Sequence, residues 1–323
     1  SNLSAALQCD DLWMKRDDLT SETYGGNKIR KLEFIIAEAL KMNKKWILTF
    51  GGIGSNHALA TAIYGRTQGI KTLVCMIDQP VTQAVREKLL LCSHFGAKLS
   101  YAKNIFGAFF KGLWHLATKR GVYFLWMGGS NTTGILGHVN AAFELTRQIE
   151  EGQIPSPKRI FIPVGTMGTY AGLKVGLTLA GIDADLVGVK VTDLSMANEK
   201  ELTKMINKTF KFLHDKSENI PHIQMQQEDI HMVHDFVGEG YGYETPEGAD
   251  ALSLLEKEES VIIDPTYTAK AFAYLLKSIR DGKEGNGPTL FWNTYNSAKL
   301  PDTKELNLDC QALPRSFHKF FKD

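Results

Sequence analysis

The chain has 323 residues, 43% hydrophobic, 10% aromatic and 23% charged, which is enough apolar material for one large or two ordinary folded domains and too much for a disordered chain. Its 37 basic and 36 acidic side chains leave a net charge of +1. That balance gives no electrostatic footprint for nucleic acid or an anionic membrane and points to a small neutral or zwitterionic partner.

From the N-terminus, apolar residues at intervals of three and four predict a first helix over 28–42. Strands at 46–50, 72–77, 98–101 and 123–126 then alternate with helices at 58–68, 83–95, 106–120 and 137–151. The polar, proline-containing stretch 151–158 interrupts both periodicities and marks a candidate boundary. Beyond it lie strands at 160–164, 186–191, 261–263 and 289–292, and helices at 170–180, 195–215, 245–256 and 268–280. Strands alternating with helices predict an α/β chain with open, twisted, mostly parallel sheets flanked by helices. No run approaches the roughly 20 apolar residues needed to cross a bilayer. No internal repeat is present.

Cys9, Cys75, Cys92 and Cys310 have no CxxC or zinc-finger spacing and read as reduced, buried thiols of a cytoplasmic protein. The opening Ser1-Asn2-Leu3-Ser4 lacks the marks of a secretory signal, as a trimmed N-terminus also would. His231, His234 and Asp235 have a spacing that puts two ligands on one helix face, but without a third partner they read as surface polarity, and no metal is expected. Phe106, Phe109, Phe110, Leu113 and Trp114 read as core or a subunit contact, and Lys200, Lys204, Lys208 and Lys211 as a solvated helix face.

Three turns stand out. In Tyr24-Gly25-Gly26-Asn27-Lys28-Ile29-Arg30-Lys31-Leu32, a glycine turn opens a helix with three cations, where the dipole prefers acids. Those cations either reach into water, or Lys28 is held by an anion or kept partly neutral as a nucleophile toward a carbonyl. Gly51-Gly52-Ile53-Gly54-Ser55-Asn56-His57 follows a strand and opens a helix, so it is either a carboxylate-sized anion site or a plain capped turn. As a dinucleotide fingerprint it fails, since His57 stands at the third glycine. Gly165-Thr166-Met167-Gly168-Thr169, after the strand at 160–164, lacks the Lys-Ser/Thr ending of a P-loop and suits one phosphate monoester, or else is a glycine turn for close packing. A carbonyl-reactive lysine, a carboxylate loop and a monophosphate loop are together what pyridoxal 5′-phosphate bound to an amino acid requires.

Lys15-Arg16-Asp17-Asp18-Leu19-Thr20, Gly25-Gly26-Asn27-Lys28-x-Arg30-Lys31-Leu32-Glu33, Gly51-Gly52-Ile53-x-Ser55-Asn56-His57, Gly240-Tyr241-Gly242 and Asp264-Pro265-x-Tyr267-Thr268-x-Lys270 resemble the D-cysteine desulfhydrase and 1-aminocyclopropane-1-carboxylate deaminase family. The likeness runs from about residue 12 to 297. It implies a fold type II pyridoxal phosphate enzyme, a homodimer, with a large cofactor-binding domain of residues 1–30 and 141–323 and a small domain of 31–140. By resemblance Lys28 carries the cofactor covalently and then acts as the base at Cα. Ser55, Asn56 and His57 line the substrate carboxylate, with Ser55 also a candidate for proton transfer. Asn56 also faces the cofactor's phenolic oxygen. Gly165, Thr166, Met167, Gly168 and Thr169 bind the phosphate, and Tyr241 and Tyr267 flank the reacting carbons.

Two positions separate the family's activities. Deaminases resemble one another in Glu and Leu where this chain has Thr268 and Thr294. Hydroxyls beside the pyridine nitrogen offer hydrogen bonds without a negative charge, which fits β-elimination of a thiol to give pyruvate and ammonia. The alternatives are cyclopropane-carboxylate deamination, deamination or racemisation of another small amino acid, and a non-catalytic ligand-binding relative. Gly54 stands where the family has Gln, Tyr170 where it has His, and Asn293-Thr294-Tyr295-Asn296 where it has His-Thr-Gly-Gly. The family's leading Thr-Pro-Leu segment is absent, which leaves a shortened N-terminus open.

Overall fold

A computed structural model describes residues 2–9, 11–283 and 287–322. The chain divides into two compact units, Ser1–Arg30 with Ile135–Ala298, and Lys31–Gly134 with Lys299–Asp323. The division differs from the expected one at three places, the first being residues 135–140, which belong to the first unit rather than to the small domain. The stretch 151–158 falls inside the first unit, and residues 299–323 group with the second. That C-terminal segment has no long periodic helix to betray it; its aromatic residues decide its place. Phe317 and Phe320 set their rings 5.8 and 5.6 Å from that of Tyr101, and Arg86 Nε donates to the Phe320 carbonyl at 2.8 Å.

The first unit is built on a parallel sheet of β1 (Leu12–Arg16), β9 (Thr289–Asn293), β6 (Arg159–Val164), β7 (Asp185–Lys190) and β8 (His231–Val233), in that order across the sheet. Successive side chains of the central strands go to opposite faces, and both faces are covered. Ile160, Ile162, Leu186, Leu290 and Trp292 pack with α6 (Thr132–Glu150), α7 (Gly168–Leu179) and α8 (Glu199–His214). Phe161, Val187, Val189 and Phe291 pack with α9 (Pro246–Glu259) and α10 (Thr268–Arg280). Side-chain caps start several helices: Asn198 accepts from Glu201 N and Thr245 from Gly248 N, the latter with Pro246 at the first turn.

The second unit holds a parallel sheet in the order β4 (Lys98–Tyr101), β3 (Lys71–Ile77), β2 (Trp46–Gly52) and β5 (Val122–Phe124). Around it lie α3 (Asn56–Thr67), α4 (Gln83–His94) and α5 (Ile105–Thr118). Ile47, Leu48, Leu73 and Val74 are wholly buried. The helix α2 (Asn27–Lys41) begins in the first unit and continues in the second, and a short α1 (Asn2–Leu7) precedes β1.

Residues 261–263 are not a strand: Val261 and Ile263 are buried around an exposed Ile262, but they form a connection between α9 and α10 that pairs with no strand among the described residues. His231 lies on β8 rather than a helix and faces Asp185, while His234 faces Glu199. Phe106, Phe110 and Trp114 are 74, 70 and 68% exposed, so this stripe is not core. Cys75 and Cys92 are buried as expected, whereas Cys9 and Cys310 are only partly so. Among the described residues no helix is long and apolar enough to cross a membrane.

Candidate active site

In the first unit, the turn before α2 is drawn tight by its two glycines. Gly26 has φ +88°, and a Cβ there would lie 2.5 Å from the Tyr295 carbonyl oxygen and 2.9 Å from that of Thr294. At Gly25 it would meet the Asp18 carbonyl at 2.2 Å. With no side chains in the way, Gly25 N donates to Asn296 Oδ1, Gly26 N to the Asp17 carbonyl and Asn27 N to the Thr294 carbonyl. The turn is thereby fixed to the end of β9.

Of the three cations at the head of α2, two are taken up by structure. Arg30 donates to Asp17 and Glu144, and Lys31 to the Gly128 carbonyl and Ser130 Oγ. Lys15 also reaches Glu144 and Gln148. Burial pushes the Glu144 carboxyl up, but the hydrogen bonds and charges of Arg30 and Lys15 outweigh it and hold it down to about 2. Lys28 is different: its Nζ donates to Asn27 Oδ1 at 2.8 Å and stands 5.8 Å from the Tyr267 ring centroid. Burial lowers its amine to about 8, against the opposing charge of Asp264.

Asn27 connects this amine to the turn after β6, since its Nδ2 donates to Thr169 Oγ1 at 3.0 Å. There Gly165 and Thr166 lead to Met167, left-handed at φ +65°, and the first residues of α7 are Gly168 and Thr169. The first N–H groups of a helix have no partner within it and make a seat for an anion. A Cβ on Gly165 would come within 3.1 Å of the Tyr267 ring, so glycine keeps that space open.

Tyr241 and Tyr267 meet edge-on, with ring centroids 5.7 Å apart. Burial raises both phenols, Tyr267 well above the usual range, so both keep their protons at neutral pH. Asp193 accepts from Tyr241 N, and the fully buried Lys270 donates to the carbonyls of Val237 and Gly240. At the head of α10, Asp264 accepts from the backbone N–H groups of Tyr267 and Thr268 and from Thr268 Oγ1, which lies 3.5 Å from Thr294 Oγ1. Thus Lys28, Thr169, Tyr241, Tyr267, Thr268 and Thr294 are linked through Asn27, Asp264 and direct contacts within one unit.

Ser55, Asn56 and His57 belong to the second unit. Ser55 caps α3, accepting from Ala58 N at 3.2 Å, and lies so close to Gly51 that a Cβ there would be 2.6 Å from Oγ. The buried His57 places Nε2 3.0 Å from Thr49 Oγ1. Gln79 Oε1 accepts from Gly54 N, and Val85 with the Gln79 amide fills the space a side chain at 54 would take. The Tyr170 ring lies over Gly188, and its hydroxyl accepts from His231 N, so it braces β7 against β8. Burial, together with Asp264, raises the Tyr295 phenol to about 12. Asp193, Asp264, Lys270 and Asn296 are not among the site residues expected from sequence, and Asn27 is expected there only as part of its turn. Only Asp264 had a local signal, an acid three and four residues before the first N–H groups of a helix.

A profile of the family described as pyridoxal-phosphate dependent enzyme matches residues 1–294. A D-cysteine desulfhydrase of Salmonella paratyphi B is 32% identical over 301 residues, 90% of this chain and 88% of the relative, and that of Salmonella typhi matches equally. Among solved structures, an ACC deaminase homologue superposes with a TM-score of 0.79 at 27% identity, covering 95% of this chain and 91% of its own. A fungal L-serine ammonia-lyase from Rhizomucor miehei reaches 0.63 at 17% identity over 95% and 94%, a likeness of fold alone.

Proposed function

Because the chain belongs to the pyridoxal-phosphate dependent enzymes, we propose that it is a lyase of the D-cysteine desulfhydrase kind, releasing a thiol from a small amino acid and yielding pyruvate and ammonia. The observation that carries this reading is the Lys28 amine, lowered to about 8 and joined through Asn27 to the glycine turn at the head of α7. The residues fit the cofactor: the amine is poised for a carbonyl, Gly165 leaves room beside Tyr267, and two hydroxyls are buried at Thr268 and Thr294. When bound, pyridoxal phosphate supplies an aldehyde for amines and a conjugated ring that stabilises negative charge at Cα.

In this reading the unit of residues 1–30 and 135–298 binds the cofactor. Lys28 holds it and moves the proton at the substrate's Cα. Gly165, Thr166, Met167, Gly168 and Thr169 seat the phosphate, with Thr169 oriented by Asn27. Thr268 and Thr294 stand by the ring nitrogen. Tyr241 and Tyr267, protonated at neutral pH, flank the reacting carbons, and the Lys270 and Asp193 contacts hold the Tyr241 loop in place. Ser55, Asn56 and His57 receive the substrate carboxylate, with Asn56 also toward the phenolic oxygen. We read the protein as a cytoplasmic homodimer by family likeness, and a solution mass measurement tests the dimer.

Cyclopropane-carboxylate deamination is the second reading, favoured by the ACC deaminase homologue among the solved structures. Reconstitution with pyridoxal phosphate should give a visible absorption band that Lys28→Ala lacks. A protein that stays colourless overturns the reading. Pyruvate from D-cysteine supports elimination, whereas 2-oxobutyrate from the cyclopropane substrate supports the second reading.

A further inference from the structure

We propose that α5, with the basic cluster at its C-terminal end, is a docking face for an anionic lipid bilayer, on which the helix lies flat with its aromatic side in the headgroup layer. The whole-chain charge of +1 conceals a division. The second unit holds 18 basic and 8 acidic side chains, a net +10, while the first holds 19 and 28, a net −9. The overall balance pointed away from an anionic membrane because it averages two units of opposite sign, and the second has the electrostatic footprint that the average lacks.

α5 sets a bare apolar face within that positive unit. Ala108 and Gly112 are its buried residues, and a Cβ on Gly112 would be 2.6 Å from the Phe50 ring, so the helix lies close on its sheet and its bulky residues are left outside. Phe106, Phe110 and Trp114 recur every fourth residue with Leu113 beside them, which puts them on one side of the helix. The three phenylalanines and Trp114 of α5 leave roughly 400–600 Å² open to water, as much as the largest apolar patch of an ordinary monomer.

Where α5 ends, the ammonium groups of Lys71, Lys98 and Lys119 gather 5.2, 5.3 and 5.1 Å from the Trp46 ring centroid. Arg120 follows directly, Lys103 precedes the helix and Lys111 lies on it, while α5 itself carries no acid. Among the described residues no carboxylate pairs with these six cations; Asp78 is taken by Tyr101 and Lys319, and Glu38 by Tyr123 and Thr133. Burial first, and then the charges of Lys119 and Lys111, lower the pKa of His115 on the same helix.

This arrangement selects the occupant. Two copies meeting through α5 would set cations against cations, and a helical peptide needs a groove, whereas α5 is a raised element whose aromatic side chains stand out in water. A helix with Trp, Phe and Leu on its outer side and cations around it matches the boundary of a bilayer, where the rings enter the acyl edge and the lysines meet headgroup phosphates and carboxylates. The proposal is independent of the reaction assigned to the first unit.

The test is flotation of the intact chain with vesicles of phosphatidylcholine, alone and with added phosphatidylserine. Binding should require the anionic lipid and weaken as salt is raised. It should fall at least tenfold in Phe110→Ser with Trp114→Ser, because burying one such side chain is worth about a decade or more in affinity. Lys119→Gln with Arg120→Gln should cost about fivefold per charge, and this pair leaves the apolar face in place should the first variant fail to fold. Both double variants should keep the parent's thermal midpoint, since they alter side chains at the surface. Protein that stays unbound at low salt, binds neutral vesicles equally well, or binds undiminished in both variants overturns the proposal. Self-association without lipid that Phe110→Ser with Trp114→Ser abolishes also overturns it and gives the face to a second copy.

Discussion

A lysine lowered from 10.5 to about 8 becomes nucleophilic at a different pH from its neighbours, and Lys28 can be tested on that ground alone. At neutral pH about one amine in eleven is unprotonated at such a site, against about one in 3000 for an ordinary lysine, a gain of roughly 300-fold in free amine. Trace acetylation of cofactor-free protein across a pH series, followed by peptide mass mapping, reads this directly. A model lysine peptide added to the same reaction serves as the standard. Lys28 labelling should reach half its maximum near pH 8, more than two pH units below that peptide. Because the Asp264 charge holds the amine up, Asp264→Asn should move the Lys28 midpoint lower still. The folded value lies below the unfolded one, so the unfolded chain binds the extra proton between about 8 and 10.5 and the stability contribution rises with pH through that window. A Lys28 midpoint coinciding with that of the model peptide would refute the reasoning.

Gly26→Ala should destabilise the protein by about 1–2 kcal/mol for left-handed backbone and about 1–3 kcal/mol more for pressing a methyl onto two carbonyls, read by urea unfolding. An unchanged midpoint counts against the turn. Arg30→Met leaves Asp17, 0% exposed, without its guanidinium partner, at a cost of roughly 3–5 kcal/mol at neutral pH. The loss should shrink in acid as Asp17 protonates, and an equal loss at both pH values contradicts the ion-pair account. Ser55→Ala should cost about 1 kcal/mol as a lost cap and Ser55→Gly only a few tenths. If the hydroxyl also meets substrate, turnover falls alike in both, and turnover that tracks stability instead assigns Ser55 to capping alone.

The central strands were legible because Ile160 to Val164 and Thr72 to Ile77 are apolar and β-rich between turn signals, and the three glycine turns because each ends a strand and opens a helix. Leu12 to Arg16 gave no such signal. It has no β-branched residue and ends in two cations, and only its pairing with β9 and the partners of Lys15 make it a strand. His231 to Val233 was too short to see. The 261–263 run had strand composition, but pairing needs a neighbour that local sequence does not reveal. At the candidate site, the charge anomaly at the head of α2 marks Lys28 as a candidate from sequence alone. Asn296 and Lys270 carry no such mark, because their roles depend on Gly25 and on the 237–240 loop, far away along the chain.

The clasp between Gly25 and Asn296 joins positions 271 apart, and β1 sits at the sheet edge with β9 as its one strand neighbour. A ribosome therefore emits the amine-bearing turn long before the segment that fastens it. Non-local closure of this kind is slow to form and contributes nothing until the far partner arrives. A chain cut before Asn296 consequently lacks the clasp that holds the turn in front of Lys28.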